Sequence, residues 1–185
     1  MANDMLFMHL TLKGKPVPGD SKVKGYEGQI ELKSLKWGLA IKDRSPVKSD
    51  AKATKNWEAK EIRLSKFFDG ASTALFQHMD ERANLHSTTR SQLSKNAIAN
   101  KAVISLVGVS AVSGSDKMPV LLKITLGGVR IKSLSSRATE SGSFLSLNEE
   151  LVLAFLDVQI DYFPADKGST RGGATTFKLE GKDEE

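Results

Sequence analysis

The side chains able to bind a metal or move a proton are few and scattered. The three histidines are His9, His78 and His86. His78 and His86 stand eight apart, not the i, i+4 spacing by which one helical face presents two imidazoles to zinc. There is no cysteine, which excludes disulfides, thiolate metal sites, iron–sulfur clusters and cysteine nucleophiles. Asp157 and Asp161 share one face of an alternating run, and paired carboxylates can divide acid and base roles. Gln159 lies between them, however, and regular polar alternation is the ordinary wet face of a strand. Gly127 and Gly128 would suit a phosphate cradle, but no helical pattern follows and neither dinucleotide nor P-loop spacing occurs. No Gly-x-Ser-x-Gly elbow is present. The residues therefore predict a protein that is not an enzyme and that uses no metal or other cofactor.

Charge points to surfaces rather than to a reaction. Over 185 residues, 27 Lys and Arg face 22 Asp and Glu, a net +5. The surplus is N-terminal: residues 1–66 carry 14 basic and 8 acidic side chains. Much of it lies in KDRSPVKSDAKATKNWEAKEIRLSK, residues 42–66, around a single aromatic, Trp57. Interspersed acids and one stacking ring make a poor nucleic-acid site, so no nucleic acid is expected. The longest unbroken apolar run, Leu151 to Leu156, is six residues, against about 20 for a membrane-spanning helix, so no membrane insertion is expected either. The N-terminus has Asp4 where a signal peptide carries basic residues.

The length suits one domain over 1–185, and periodicity makes it mainly β. Leu6, Met8, Leu10 and Leu12 alternate with His9 and Thr11, a half-buried strand whose phase is broken by Phe7. Ile30 and Leu32 are even, whereas Leu35, Trp37, Leu39 and Ile41 are odd, so parity slips between Lys33 and Ser34. One extra residue does this, and such bulges bend a strand as a curved barrel requires. The same slip recurs in VLLKITLGGVRIKS at Gly127 and Gly128. These signals predict bent strands at about 28–42 and 120–133, a strand at 101–110, a long strand at 149–162 and a short one at Thr175 to Leu179. Phe68, Ala71, Leu75 and Met79 form one amphipathic stripe, a helix started by Asp69 or Ser72. Segments 42–58 and 80–100 read as mobile loops, and 165–185 as a tail. Leu151 to Phe155 is apolar on both faces and needs a cover, either the helix or another subunit.

Five strings in this order resemble the Hcp family, the haemolysin-coregulated tube proteins of bacterial type VI secretion systems. They are MANDMLFMHL, GQIELKSLKWG, IRLSKFFDGASTALFQHM, LLKITLGGVRIKS and ELVLAFLDVQIDYFP. The resemblance runs along almost the whole chain, with Trp37 and Gly38 closing the second string and Val158, Asp161, Tyr162 and Pro164 in the last. It implies a two-sheet bent β-barrel with one flanking α-helix, assembling as a homohexameric ring. Stacked rings would form a hollow tube, driven outward by a contractile sheath behind a spike protein and carrying small secreted effectors in its lumen. The tube would be assembled in the bacterial cytoplasm and exported by its own apparatus without a signal peptide.

The resemblance also assigns roles. Lys36, opposite in parity to Leu35 and Trp37, would face the lumen. Lys48, Lys52 and Trp57 would lie in the loop that contacts the next subunit or ring, although this loop is Lys-rich where the family's is often Gly-rich. Leu151, Leu153 and Phe155 would pack against a neighbouring subunit or the helix. Two other readings stand beside this one: a small-ligand-binding β-barrel, since bent strands enclose an apolar interior, and a phage tail-tube-like subunit of the same architecture.

Overall fold

The parity slips mark the places where the chain changes sheet. The computed structural model describes residues 4–41, 57–59, 61–83, 100–108, 118–141, 144–164 and 173–180. Its elements are β1 (Met5–Leu12), β2 (Lys15–Val17), β3 (Ile30–Leu32), β4 (Ser34–Lys36), β5 (Leu39–Ile41), β6 (Trp57–Ala59), β7 (Ile62–Phe67), α1 (Gly70–Ala83), β8 (Lys101–Val107), β9 (Val120–Gly127), β10 (Arg130–Ser141), β11 (Phe144–Ala154), β12 (Asp157–Tyr162) and β13 (Thr175–Glu180). A first sheet has the order β13-β12-β9-β8-β1-β2, with β3 also paired to β1; a second has the order β10-β11-β7-β4; β5 and β6 form a separate hairpin. The pairings are antiparallel throughout.

Lys33 is the first hinge. Leu32 pairs with Leu6 in the first sheet, the Lys33 N–H already bonds Ser65 O at 2.7 Å, and Ser34 pairs with Ser65 in the second. The segment expected as one bent strand over 28–42 is therefore three short strands. The second hinge is the glycine pair: β9 ends at Gly127 in the first sheet and β10 starts at Arg130 in the second. Gly128 has φ +61°, and a Cβ there would come within 2.6 Å of Leu156, so only glycine fits. Asn100 clamps this corner, its Oδ1 accepting from Lys13 N–H at 2.7 Å and its Nδ2 donating to Val129 O at 3.0 Å.

A third crossing corrects the sequence reading. The long strand expected at 149–162 is two strands in different sheets, β11 and β12, broken at Phe155 and Leu156. Leu156 N–H donates to Gly127 O at 2.9 Å, so the second and third crossings share one corner. Phe7, which broke the phase of β1, is fully buried on the far face of its sheet because Tyr26 stacks on it, with ring centroids 4.5 Å apart.

The core lies between the sheets and is built from side chains of both, among them Met8, Leu10, Ile30, Ile62, Leu64, Ile104, Leu126, Leu151 and Leu153. Each fully buried aliphatic contributes about 1.5–3 kcal/mol. Helix α1 packs against both sheets, touching β2 and β10. Asp69 caps it: its Oδ1 accepts from Ala71 N–H at 3.0 Å, while Ser72 Oγ accepts from Asp69 N–H at 3.0 Å, a reciprocal cap. Phe68 falls before the first turn, so the buried face is Ala71, Ser72, Leu75 and His78. The helix continues to Ala83, into the segment expected as a loop from residue 80.

Candidate assembly surfaces

Alternation gives the second sheet an apolar inner and a polar outer face. On the outer face Lys36 is exposed opposite Arg63, and Ser34 opposite Ser65, with their hydroxyls hydrogen-bonded. Arg63 Nη1 donates to Glu150 Oε1 at 3.2 Å. This mixed, wet surface carries the residue expected to face a lumen.

Leu151 and Leu153 lie on the inner face with no exposure and belong to the chain's own core. Leu151 pairs with Leu64 and Leu153 with Ile62. Phe155 is half-buried at the crossing, edge-on to Trp37 with ring centroids 6.3 Å apart. The indole N–H of Trp37 is buried and meets no acceptor among the described residues. Trp57 begins β6, its backbone paired with Ile41. Lys48 and Lys52 lie outside the described residues, as does His86.

A buried polar cluster escaped the sequence reading. Lys66 and Glu149 occupy inward positions, in register with Leu64 and Leu151, and neither side chain is exposed. Lys66 Nζ donates to Glu149 Oε2 at 2.7 Å, to Asp69 Oδ1 at 2.6 Å, to Ser72 Oγ at 3.0 Å and to Phe67 O at 2.7 Å. Glu149 also accepts from Ser72 Oγ at 2.6 Å and Ser136 Oγ at 2.9 Å. Burial alone would raise the Glu149 carboxyl, but the hydrogen bonds from Lys66, Ser72 and Ser136 outweigh it and hold the group below the usual glutamate range. The signal available in sequence was a Lys and a Glu at core parity on two strands.

Beyond this cluster the inner face runs out of core. The row Leu153, Leu151, Glu149 continues along β11 to Leu147 and Leu145, paired with Ala138 and Glu140 of β10. Leu147 is 39% exposed and Leu145 76%; Phe67, also exposed, lies on the opposite face in register with Asn148. At the open seam where β4 faces β8 and β9, Leu6, Leu35, Ile104, Leu106, Leu122 and Ile124 line an apolar cavity of about 210 Å³.

Among the described residues, the catalytic and metal-binding candidates read from the sequence do not converge. Asp157 and Asp161 are four residues apart on one extended strand, about 13 Å, too far to work on one bond. Thr176 hydrogen-bonds Asp161 at 2.7 Å and, with Gln159, holds its carboxyl below the usual range. His78 is buried in α1; desolvation first, then Lys13 and Arg82, keep its imidazole below the usual value. Among the described residues no three His, Asp or Glu gather as metal ligands, and α1 is neither long nor apolar enough to cross a membrane.

Comparison with known proteins adds what geometry alone does not. A family model described as type VI secretion system effector, Hcp, matches residues 7–162. Among solved structures, Hcp1 from Salmonella typhimurium aligns with TM-score 0.64 at 18% identity, covering 97% of this chain and 95% of that one. Hcp1 from E. coli EAEC 042 aligns with TM-score 0.64 at 14% identity over 95% and 98% of the two chains. The secreted protein Hcp3 from Pseudomonas aeruginosa aligns with TM-score 0.62 at 12% identity over 98% and 100%. At these identities the likeness shows a shared fold. No curated protein matches the chain.

Proposed function

We propose, from the premise that this chain belongs to the Hcp family of type VI secretion proteins, how its surfaces build the tube of which it is a subunit. Six copies close into a ring and rings stack into a hollow cylinder. The polar outer face of the second sheet, with Lys36, Arg63 and Glu150, lines the lumen, where a wet surface lets small effectors pass without sticking. Lys48, Lys52 and Trp57 belong to the contact between successive rings. A contractile sheath surrounds the tube and a spike protein tips it. The subunit folds and assembles in the bacterial cytoplasm and leaves through the apparatus, with no signal peptide needed. Its part is structural, and the reading assigns it no catalysis.

The family match across residues 7–162 carries this reading. The same match does not favour the ligand-binding barrel. Export tests it. Expressed in a bacterium with an active type VI system, the protein should appear in the medium, and deleting the sheath genes should keep it in the cells. Equal release from both strains would refute the proposal.

A further inference from the structure

Arg82, Arg130 and Lys132 line a cleft of about 620 Å³ between the end of α1 and the start of β10, with Met79 and Ile131 also on its wall. Arg82 Nη1 donates to Ile131 O at 3.1 Å, and Lys132 pairs with Glu61, the one carboxylate lining the cleft among the described residues. Arg130 is exposed and forms no ion pair among the described residues. The cleft is therefore left with surplus positive charge. Its complement lies in the same chain: residues 181–185, GKDEE, carry three carboxylates and one ammonium, the mirror of the cleft's three cations and one carboxylate.

The register brings the two within reach. Glu180, the last residue of β13, pairs with Asp157. Opposed Cα atoms lie about 5 Å apart, and the three residues from Asp157 back to Ala154 on the cleft wall span at most about 10 Å. That wall is thus within about 15 Å of the Glu180 Cα, and five extended residues reach about 17 Å. We propose that residues 183–185 seat on Arg130 and Lys132 in this cleft of their own chain. Among the described residues β13 is the edge of the first sheet, paired to β12 alone, whereas Arg130 and Lys132 belong to the second sheet or its bulge. The contact is therefore a clasp that ties an edge strand to the opposite sheet beside the end of α1. A tethered segment occupies its site at about millimolar effective concentration, so any separate anion must displace it to enter the cleft. The clasp is made within one chain and does not depend on the tube reading.

Carbodiimide coupling of the unaltered protein tests this, because it joins a carboxylate to an amine only where the two touch. The link from Lys132 to Glu61 is the built-in control. Peptide mapping should also find Lys132 linked to Asp183, Glu184 or Glu185, and in a mixture of isotope-labelled and unlabelled protein these links should lie within single copies. Arg130→Gln, at an exposed position and so harmless to folding, should lower the yield of the tail link about two- to fivefold, the scale of one exposed ion pair, with the Glu61 link unchanged. Salt at about 1 M, where the Debye length is about 3 Å, should suppress the tail link as well. The Glu61 link without any tail link would overturn the proposal. So would tail links found only between labelled and unlabelled copies, which would put the segment on another chain, or a yield indifferent to Arg130→Gln.

Discussion

Lys66 Nζ donates to Glu149 Oε2 across 2.7 Å with neither side chain exposed to solvent. Two strands and the first turn of α1 meet at this pair, because Asp69 and Ser72 share the same ammonium. Removing one partner strands a buried charge, which costs about 3–5 kcal/mol. Lys66→Met should therefore be severely destabilised in chemical denaturation. The double variant Lys66→Met, Glu149→Leu should recover most of that loss, since an apolar pair of similar volume needs no desolvation. A double variant that loses as much as the two singles added together would show no coupling between the side chains and contradict this account.

The same cluster sets an acid limit. The Glu149 pKa in the folded protein is depressed, so its contribution to stability is complete above the unfolded value of about 4.3 and is lost as pH falls through the folded value. Denaturation midpoints should hold down to about pH 4.3 on this account and then drop. Glu149→Gln should flatten that drop at the cost of lower stability at neutral pH. His78 has the same sign, its pKa also lowered, so a shallower decline beginning near pH 6.5 should survive in the Glu149→Gln variant and vanish in His78→Gln.

The glycine corner is equally specific. Gly128 sits at φ +61° with Leu156 where a Cβ would be. Gly128→Ala should lose about 1–2 kcal/mol for the left-handed backbone, and more as Leu156 is displaced. Gly14, also at positive φ but with open space around its Cβ position, is the control: Gly14→Ala should show the backbone loss alone. Equal losses at both sites would remove the contact with Leu156 from the argument.

What was legible in the sequence followed from parity. Crossing from one sheet to the other reverses which face is buried, so the slips at Lys33 and at Gly127 and Gly128 were visible without coordinates. The third crossing was hidden because Leu151 to Leu156 is apolar throughout, leaving no alternation to slip. The ribbon's outer half, around Arg137 to Leu147, was missed because it lies beyond the core and has no wet-against-dry contrast to read. Lys66 and Glu149 are not legible because charge argues for the outer face, and only the register of β7 with β11 sets the two at matching depth. Phe7 breaks the alternation of β1 because Tyr26 stacks on it from outside the strand, a contact that no local pattern announces.

Ring stacking through Lys48 and Lys52 would be electrostatic, and exposed charges are screened beyond about 8 to 10 Å at physiological salt. Tubes formed in dilute buffer should shorten into single rings as salt rises, with ring size unchanged in light scattering. Lys48→Glu with Lys52→Glu should give single rings even at low salt. Tubes indifferent to salt would place the stacking energy in apolar contacts such as Trp57.

The central claim is a ring of six, and the native mass of the purified protein addresses it most directly. Light scattering behind a sizing column should give six times the 20.1 kDa chain, and imaging of that peak should show rings with a central hole. A species of one chain mass at every concentration and salt tried would contradict the account.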